Sequence, residues 1–455
     1  MNKKKYSINM TQGPLLKNII IFAIPLVLSN LLQLFYNTAD LVVVSRFAGS
    51  QAMGSVGATG SVTSLILNIG IGLSVGAGVV VSKYFGAGDK SAISRAVHTS
   101  VYISFILGLF FSVLGFSLTR PLLMLTGVPE GNVLDGAVLY MRIIFLGVPA
   151  SMVYNFCASI LRAVGDTKRP LYILGLTGLM NVALNLVFVI VFHMDVAGVA
   201  IATIAANYAS AIMALRILMR TEESYKLVVN KLRIYKAELV QIIRIGLPAG
   251  IQSSFFNLAN TVIQSTVNSF GAAAISGNVA AANIENFIYI AMNSFAQAAV
   301  TGVSQNYGAG DVKRIYKTIG LAICCVSVIG TVMGVLCVIF ANPLLSIYIT
   351  DSAEAVEFAK IRMITTLVPY FLAGIMDTLT GSLRGLGRSS ISAVNSFVGA
   401  CGFRILWIIV VLPFNRTPRM LFWCWPLSWM VVIAMHLITH LVIRKSVIRE
   451  VKMSS

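Results

Sequence analysis

Tyr84-Phe85-Gly86-Ala87-Gly88-Asp89 returns 222 residues later as Asn306-Tyr307-Gly308-Ala309-Gly310-Asp311. Arg120-Pro121-Leu122-Leu123 returns as Asn342-Pro343-Leu344-Leu345, and Leu161-Arg162-Ala163-Val164-Gly165 as Leu383-Arg384-Gly385-Leu386-Gly387, at the same offset. Pro25 and Pro149, each in an apolar run, are echoed by Pro248 and Pro369. The second half of the chain therefore repeats the first. Duplication of a strongly apolar chain predicts the plan of a transporter, with its site between the copies.

The chain is 57% hydrophobic and 11% charged, and its mean hydropathy is +0.85. Soluble domains carry roughly 25% charged residues, so this composition calls for a lipid solvent. Twelve apolar stretches lie between residues 16 and 443, each near the ~20 residues that cross a bilayer as a helix. Six precede and six follow the most polar segment, Arg220 to Glu238. An even number of spans per copy makes the copies parallel, related by an axis along the membrane normal. The expected fold is an all-α polytopic membrane protein of twelve transmembrane helices, in two pseudo-symmetric six-helix lobes around a central cavity. Residues 1–220 form the first lobe, 221–238 a connector on the cytoplasmic side, and 239–455 the second lobe.

A net charge of +18 invites a nucleic-acid reading, but the distribution of charge excludes one. With the N-terminus placed inside, 26 of the 34 Lys and Arg residues fall on the inner side and seven, Arg362 among them, on the outer side. That is the positive-inside signature, and it places both termini in the cytoplasm. The basic start, Met1-Asn2-Lys3-Lys4-Lys5, reads as a cytoplasmic beginning rather than a cleaved signal. The six cysteines lie within apolar spans with no metal-ligand spacing and read as small packing residues. The Gly-Ala-Gly-Asp pairs read as tight turns that use glycine's access to positive φ. No phosphate-binding GxxxxGK[ST] and no hydrolytic motif is present, so the chain reads as neither an ATP-driven pump nor an enzyme.

Thirteen of the sixteen acidic residues fall in loops, tails or span ends; Asp40, Glu285 and Asp377 do not. A charge in mid-membrane costs about 2.5–3.5 kcal/mol on insertion scales and marks a functional candidate. Asp40 shares a helix face with Tyr36, four residues earlier, and Pro25 can kink that helix as a hinge. A poorly solvated carboxylate takes a proton more readily than one in water; surrounded by amides and hydroxyls it could hold a sodium ion instead. Asn181 and Asn185 in the fifth span and Thr203 in the sixth supply such groups. The alternative for these is ordinary interhelical hydrogen bonding. In the second copy Asn260 repeats Asn37, but Ile263 stands where Asp40 would. There Glu285 and Asp377 have Arg404 as the expected counter-charge, either as a structural pair or as an acid that meets a cationic substrate. His436 and His440, four apart on the last span, read as facing lipid or a partner rather than as metal ligands, and His98 as a span-end residue.

Met10-Thr11-Gln12-Gly13-Pro14, Ile24-Pro25, Tyr36-Asn37-Thr38-Ala39-Asp40, Tyr307-Gly308-Ala309-Gly310-Asp311 and Gly381-Ser382-Leu383-Arg384-Gly385 resemble the multidrug and toxic compound extrusion (MATE) family. Within it the chain is most similar to the bacterial DinF-like and MepA-like branch. The resemblance implies export of amphipathic, often cationic compounds across the bacterial cytoplasmic membrane, in exchange for protons or sodium ions and with no other cofactor. A monomer is the family default. By the family's pattern the cation site falls on Tyr36, Asp40, Asn181, Asn185 and Thr203, with sodium possible at Asp40, Asn181, Asn185 and Thr203. Members with that sodium site carry aspartate where this chain has Asn185, and other branches carry a glutamate in the seventh span, where Asn257 and Asn260 stand. Both departures lean toward protons. A flippase for lipid-linked precursors is the alternative; it would want a cavity with several arginines, of which only Arg404 is evident.

Overall fold

The computed structural model describes residues 7–125, 131–350 and 352–454, and every regular element among them is helical. The basic start at Lys3, Lys4 and Lys5 lies outside the described residues. The first copy holds α1 (Leu15–Val43), α2 (Gly49–Ala87), α3 (Lys90–Leu125), α4 (Asn132–Ala163), α5 (Lys168–Leu186) and α6 (Asp195–Arg220). The second opens with α7 (Lys236–Asn268), α8 (Ala272–Gly308), α9 (Val312–Ile339) and the short α10 (Ala341–Leu345). It continues with α11 (Ala353–Leu367), α12 (Phe371–Gly385), α13 (Ser389–Ser396), α14 (Phe403–Leu406), α15 (Pro418–Phe422) and α16 (Cys424–Ser454).

Among the described residues ten helical runs are long and apolar enough to cross a membrane singly, α13 and α14 belonging to one run, Ser389–Phe414. α11 and α12 form one further span, bent by 49°. The twelfth is α8, 37 residues long and made more polar by Asn283, Glu285, Asn286 and Asn293. Large apolar side chains such as Phe110, Val113, Leu441 and Val442 are exposed, as a lipid-facing surface requires.

The repeated loops are turns. Gly88 and Gly310 adopt φ of 71° and 77°. The following aspartates cap the next helices: Asp89 accepts from the Ala92 N–H at 2.9 Å and Asp311 from the Arg314 N–H at 2.9 Å. Each motif thus reverses the chain at a helix C-terminus and satisfies an orphan donor at the next N-terminus.

The chain separates into two compact units, Met1–Ile8 with Leu28–Gly250, and Asn9–Val27 with Ile251–Ser455. α1 and α7 each change unit two residues past a proline, Pro25 and Pro248. In the first unit, α7 is held by backbone contact with α2. A Cβ on Gly72 would lie 2.3 Å from the Gly250 nitrogen, and one on Gly246 would lie 2.5 Å from the Leu73 Cα. Gly72-xxx-Gly76 therefore faces Gly246-xxx-Gly250, the small-residue packing that lets membrane helices touch. The connector is clasped to the same unit. Val228 N–H donates to His98 Nε2 at 3.0 Å, Tyr235 N–H to Thr99 Oγ1 at 3.1 Å, and Arg95 pairs with Glu238 at 2.6 Å. His98, expected as an idle span-end residue, is buried and holds this clasp.

In the second unit the segment before α1 is docked by side chains of the repeat loop. Met10 N–H donates to Gln305 Oε1 at 2.8 Å, and Met10 C=O accepts from Arg314 Nη2 at 2.9 Å. His436 and His440 do not face lipid or a partner. Both are buried: His436 lies 3.0 Å from Thr380 Oγ1 and 3.2 Å from Asn395 Nδ2, and His440 lies 2.8 Å from Ser382 Oγ. Hydroxyls on α12 and the amide on α13 cover that face of α16 and give each imidazole a partner that lipid would not, although His440 Nδ1 is buried without one.

Candidate functional site

In the first unit α1, α5 and α6 bring Asp40, Asn185, Asn181 and Thr203 into one chain of hydrogen bonds. Asn185 Nδ2 donates to Asp40 Oδ1 and is shared with Asn181 Oδ1 at 3.3 Å. Asn181 Nδ2 in turn reaches Thr203 Oγ1 at 3.4 Å, and the Thr203 hydroxyl donates back to Val199 C=O at 2.9 Å. The spacing explains the convergence. Asn181 and Asn185 are four apart on α5, so they share one face. π-helical turns follow Asp40 and Asn185 closely, at Val44–Ala48 and Val187–Val191. Such turns re-aim side chains and recur at functional sites.

Tyr36 is one turn before Asp40, and its hydroxyl donates to Gly175 C=O at 3.2 Å. Its ring lies against Gly178, where a Cβ would sit 1.8 Å from Tyr36 Cζ; only glycine leaves room for it. Tyr36, Asp40, Gly178, Asn181 and Thr203 line a cavity of about 100 Å³ with Gln33, Asn37, Thr177, Asn207 and Ser210, and Asn185 reaches it through Asp40. Gln33, Thr177, Asn207 and Ser210 are members that sequence reasoning missed, though their spacing on α1, α5 and α6 places them on the same faces. One polar atom stands out: Asn185 Oδ1 is buried without a partner.

The second unit is built differently. Arg404, expected to neutralise Glu285 or Asp377, instead donates to Ser428 Oγ at 2.9 Å and Asn260 Oδ1 at 3.4 Å. Glu285 pairs with Arg362 at 2.6 Å, both largely buried. Arg362 was expected outside the membrane on the outer side. Its guanidinium lies inside, bonded also to the Asn278 carbonyl at 3.1 Å and set 5.1 Å from the Trp425 ring centre. Asp377 lies among Tyr289, Asn293 and the opposing charge of Arg384, and Asn293 Nδ2 donates to the Tyr289 hydroxyl at 3.4 Å. Arg384 donates to Gln252 Oε1 at 2.7 Å. Asn257 is exposed. Among the described residues no group of three or more His, Cys, Asp or Glu side chains is placed to hold a metal ion.

Twelve membrane helices in two repeated units, with ionisable side chains held inside them, define a multi-pass membrane transporter. The chain belongs to the MatE family, whose model matches residues 25–187 and again residues 248–410, so the two matches restate the internal repeat. It is 26% identical over 378 residues to the probable multidrug resistance protein YoeA of Bacillus subtilis (strain 168), covering 82% of this chain and 81% of that one. It is 22% identical to the multidrug export protein MepA of Staphylococcus aureus (strain bovine RF122 / ET3-1), over 93% and 91% of the two chains. Its fold superposes with a TM-score of 0.89 on an outward-facing multidrug resistance MATE family transporter of the MOP superfamily. That match has 20% sequence identity and covers 98% of this chain and 99% of the other. The family is one of multidrug efflux transporters, not of enzymes.

Proposed function

We propose that this chain is a secondary active antiporter that exports amphipathic, often cationic compounds from the cytoplasm in exchange for a proton taken up at Asp40. The observation that carries this reading is the Asp40–Asn185 pair on the small polar cavity of the first unit. At about 100 Å³ that cavity is below the ~300–1,000 Å³ of drug-sized pockets. It suits a small ion and its water, so the drug binds elsewhere. Asp40 is the single carboxylate among its lining residues. One carboxylate with an amide donor already on it favours exchange of a proton over a sodium ion stripped of water.

Sodium is the second reading, favoured by the orphan Asn185 Oδ1, an acceptor that a bare cation would use. Protonation of Asp40 removes the charge that α1 must bury and bends α1 at Pro25, coupling the ion to the shape of the drug site. Both termini lie in the cytoplasm of a bacterial cell, the protein sits in the plasma membrane, and one chain suffices. Each charge driven across 100 mV supplies ~2.3 kcal/mol, enough to bias such a cycle. The flippase alternative gains little from Arg362, Arg384 and Arg404, each of which has a partner within the chain. Dye efflux from inverted vesicles, energised separately by a proton and by a sodium gradient, tests the reading. Efflux driven by protons alone upholds it, efflux driven by sodium alone replaces it with the second, and none under either gradient ends both.

A further inference from the structure

Arg384 and Arg162 are repeat partners, each in the last turn of its helix, but their surroundings differ. In the second unit Arg384 has Gln252 as a bonded acceptor and Asp377, two turns earlier on α12, as its counter-charge. In the first unit every one of those supports is missing. Asn155 stands at the position of Asp377 and Ser29 at that of Gln252. Leu67 and Ile71 replace Tyr289 and Asn293, the polar groups beside Asp377. Asn155 spends its amide on Ser151 C=O at 2.9 Å.

Arg162 Nε is buried without a partner, as Arg384 Nε is too, and in the first unit so is the hydroxyl of Tyr154, two turns earlier on α4. Tyr154 is 9% exposed, and its phenol lies within electrostatic reach of the Arg162 guanidinium. Among the described residues no carboxylate is paired with either group. A partly buried guanidinium without an anion is destabilising, and the orphan phenol adds to that. The C-terminal end of α4 offsets part of the charge but leaves both donors unused.

We propose that Arg162 and the Tyr154 hydroxyl form an anion site in the first unit, which takes the carboxylate or phosphate group of an amphipathic molecule in place of the carboxylate that Asp377 supplies in the second. The guanidinium offers a planar fork that matches either oxyanion, and the phenol adds a third donor. The site does not rest on the ion-coupling role of Asp40, and it extends the range of solutes to amphiphiles that carry a negative group.

The test is binding of octanoate, octyl phosphate, octylamine and octanol to the purified full-length protein in phosphatidylcholine nanodiscs. One tail with four head groups isolates the charge. Wild type is expected to bind octanoate and octyl phosphate about tenfold tighter than octanol. Arg162→Gln abolishes that preference while leaving octylamine binding unchanged, and Tyr154→Phe weakens it about two- to fivefold. If Arg162→Gln does not fold, Arg162→Lys serves: it keeps the charge, loses the fork, and weakens oxyanion binding about three- to tenfold. Equal binding of octanoate and octanol by wild type overturns the proposal, as does an Arg162→Gln or Arg162→Lys protein that keeps the full preference. Adding phosphatidylglycerol identifies the source. Competition with octanoate assigns the site to a lipid headgroup, its absence assigns the site to a free amphiphile, and both outcomes uphold it.

Discussion

The two units share one plan and hold their charges in opposite ways. In the first, Asp40 meets only neutral amides, and a small cavity opens beside it. In the second, the residue at Asp40's position is Ile263, 1% exposed in an apolar cluster with Val267, Phe358 and Leu421. Where the family matches end, at residues 187 and 410, the same displacement puts Arg404 opposite Asn181. A built-in guanidinium, bonded to Asn260 and Ser428, thus takes the place of the polar site of the first unit. Glu285 has its own tethered cation, and Asp377 has Arg384 close by. Duplication supplies two similar scaffolds, and here only the first keeps an acid free of a fixed positive partner.

The contrast can be broken first at Arg362. Replacing it with Met strands Glu285 in the interior and is expected to cost about 3–5 kcal/mol. The Glu285→Leu/Arg362→Met double variant should recover most of that, as read by thermal unfolding in detergent. A single variant as stable as wild type would mean that Glu285 is not committed to its pair. Next is Ile263→Asp, which places an acid in the second unit at the site used by the first. Without amides to receive it, the loss is expected near 2.5–3.5 kcal/mol, and a fully stable variant would show that the second unit can host the same site. Gly72→Ala or Gly246→Ala pushes α2 and α7 apart and should cost about 1–3 kcal/mol, while Gly57→Ala, with open space around it, serves as the neutral control. The smallest effect concerns what the units share: Asp89→Ala and Asp311→Ala should each cost about 1 kcal/mol, and clearly unequal losses would mean that the repeated loops are no longer equivalent.

The repeat, the helical class and the turns were legible because they depend on local sequence: positive φ at Gly88 and Gly310 and a capping carboxylate next to each. The polar chain through Asp40, Asn181, Asn185 and Thr203 was legible because i, i+4 spacing on apolar helices leaves polar groups few places to go. Arg362 was not. With Lys360 two residues before it, Arg362 counted among the outer-side basic residues, and only packing against α8 and Trp425 reveals that it turns inward. His436 and His440 were misread for a related reason. Periodicity shows that they share a face but not that Thr380, Ser382 and Asn395 cover it. The close approach of α2 and α7 depends on glycines more than 170 residues apart, which no local pattern joins.

On the proposed cycle Asp40 alone trades its proton for drug binding. Its most direct test is proton release on addition of a cationic dye to purified protein in weakly buffered detergent, comparing wild type with Asp40→Asn and Asp377→Asn. Release from wild type and from Asp377→Asn, and none from Asp40→Asn, is the predicted result. Undiminished release from Asp40→Asn would contradict it.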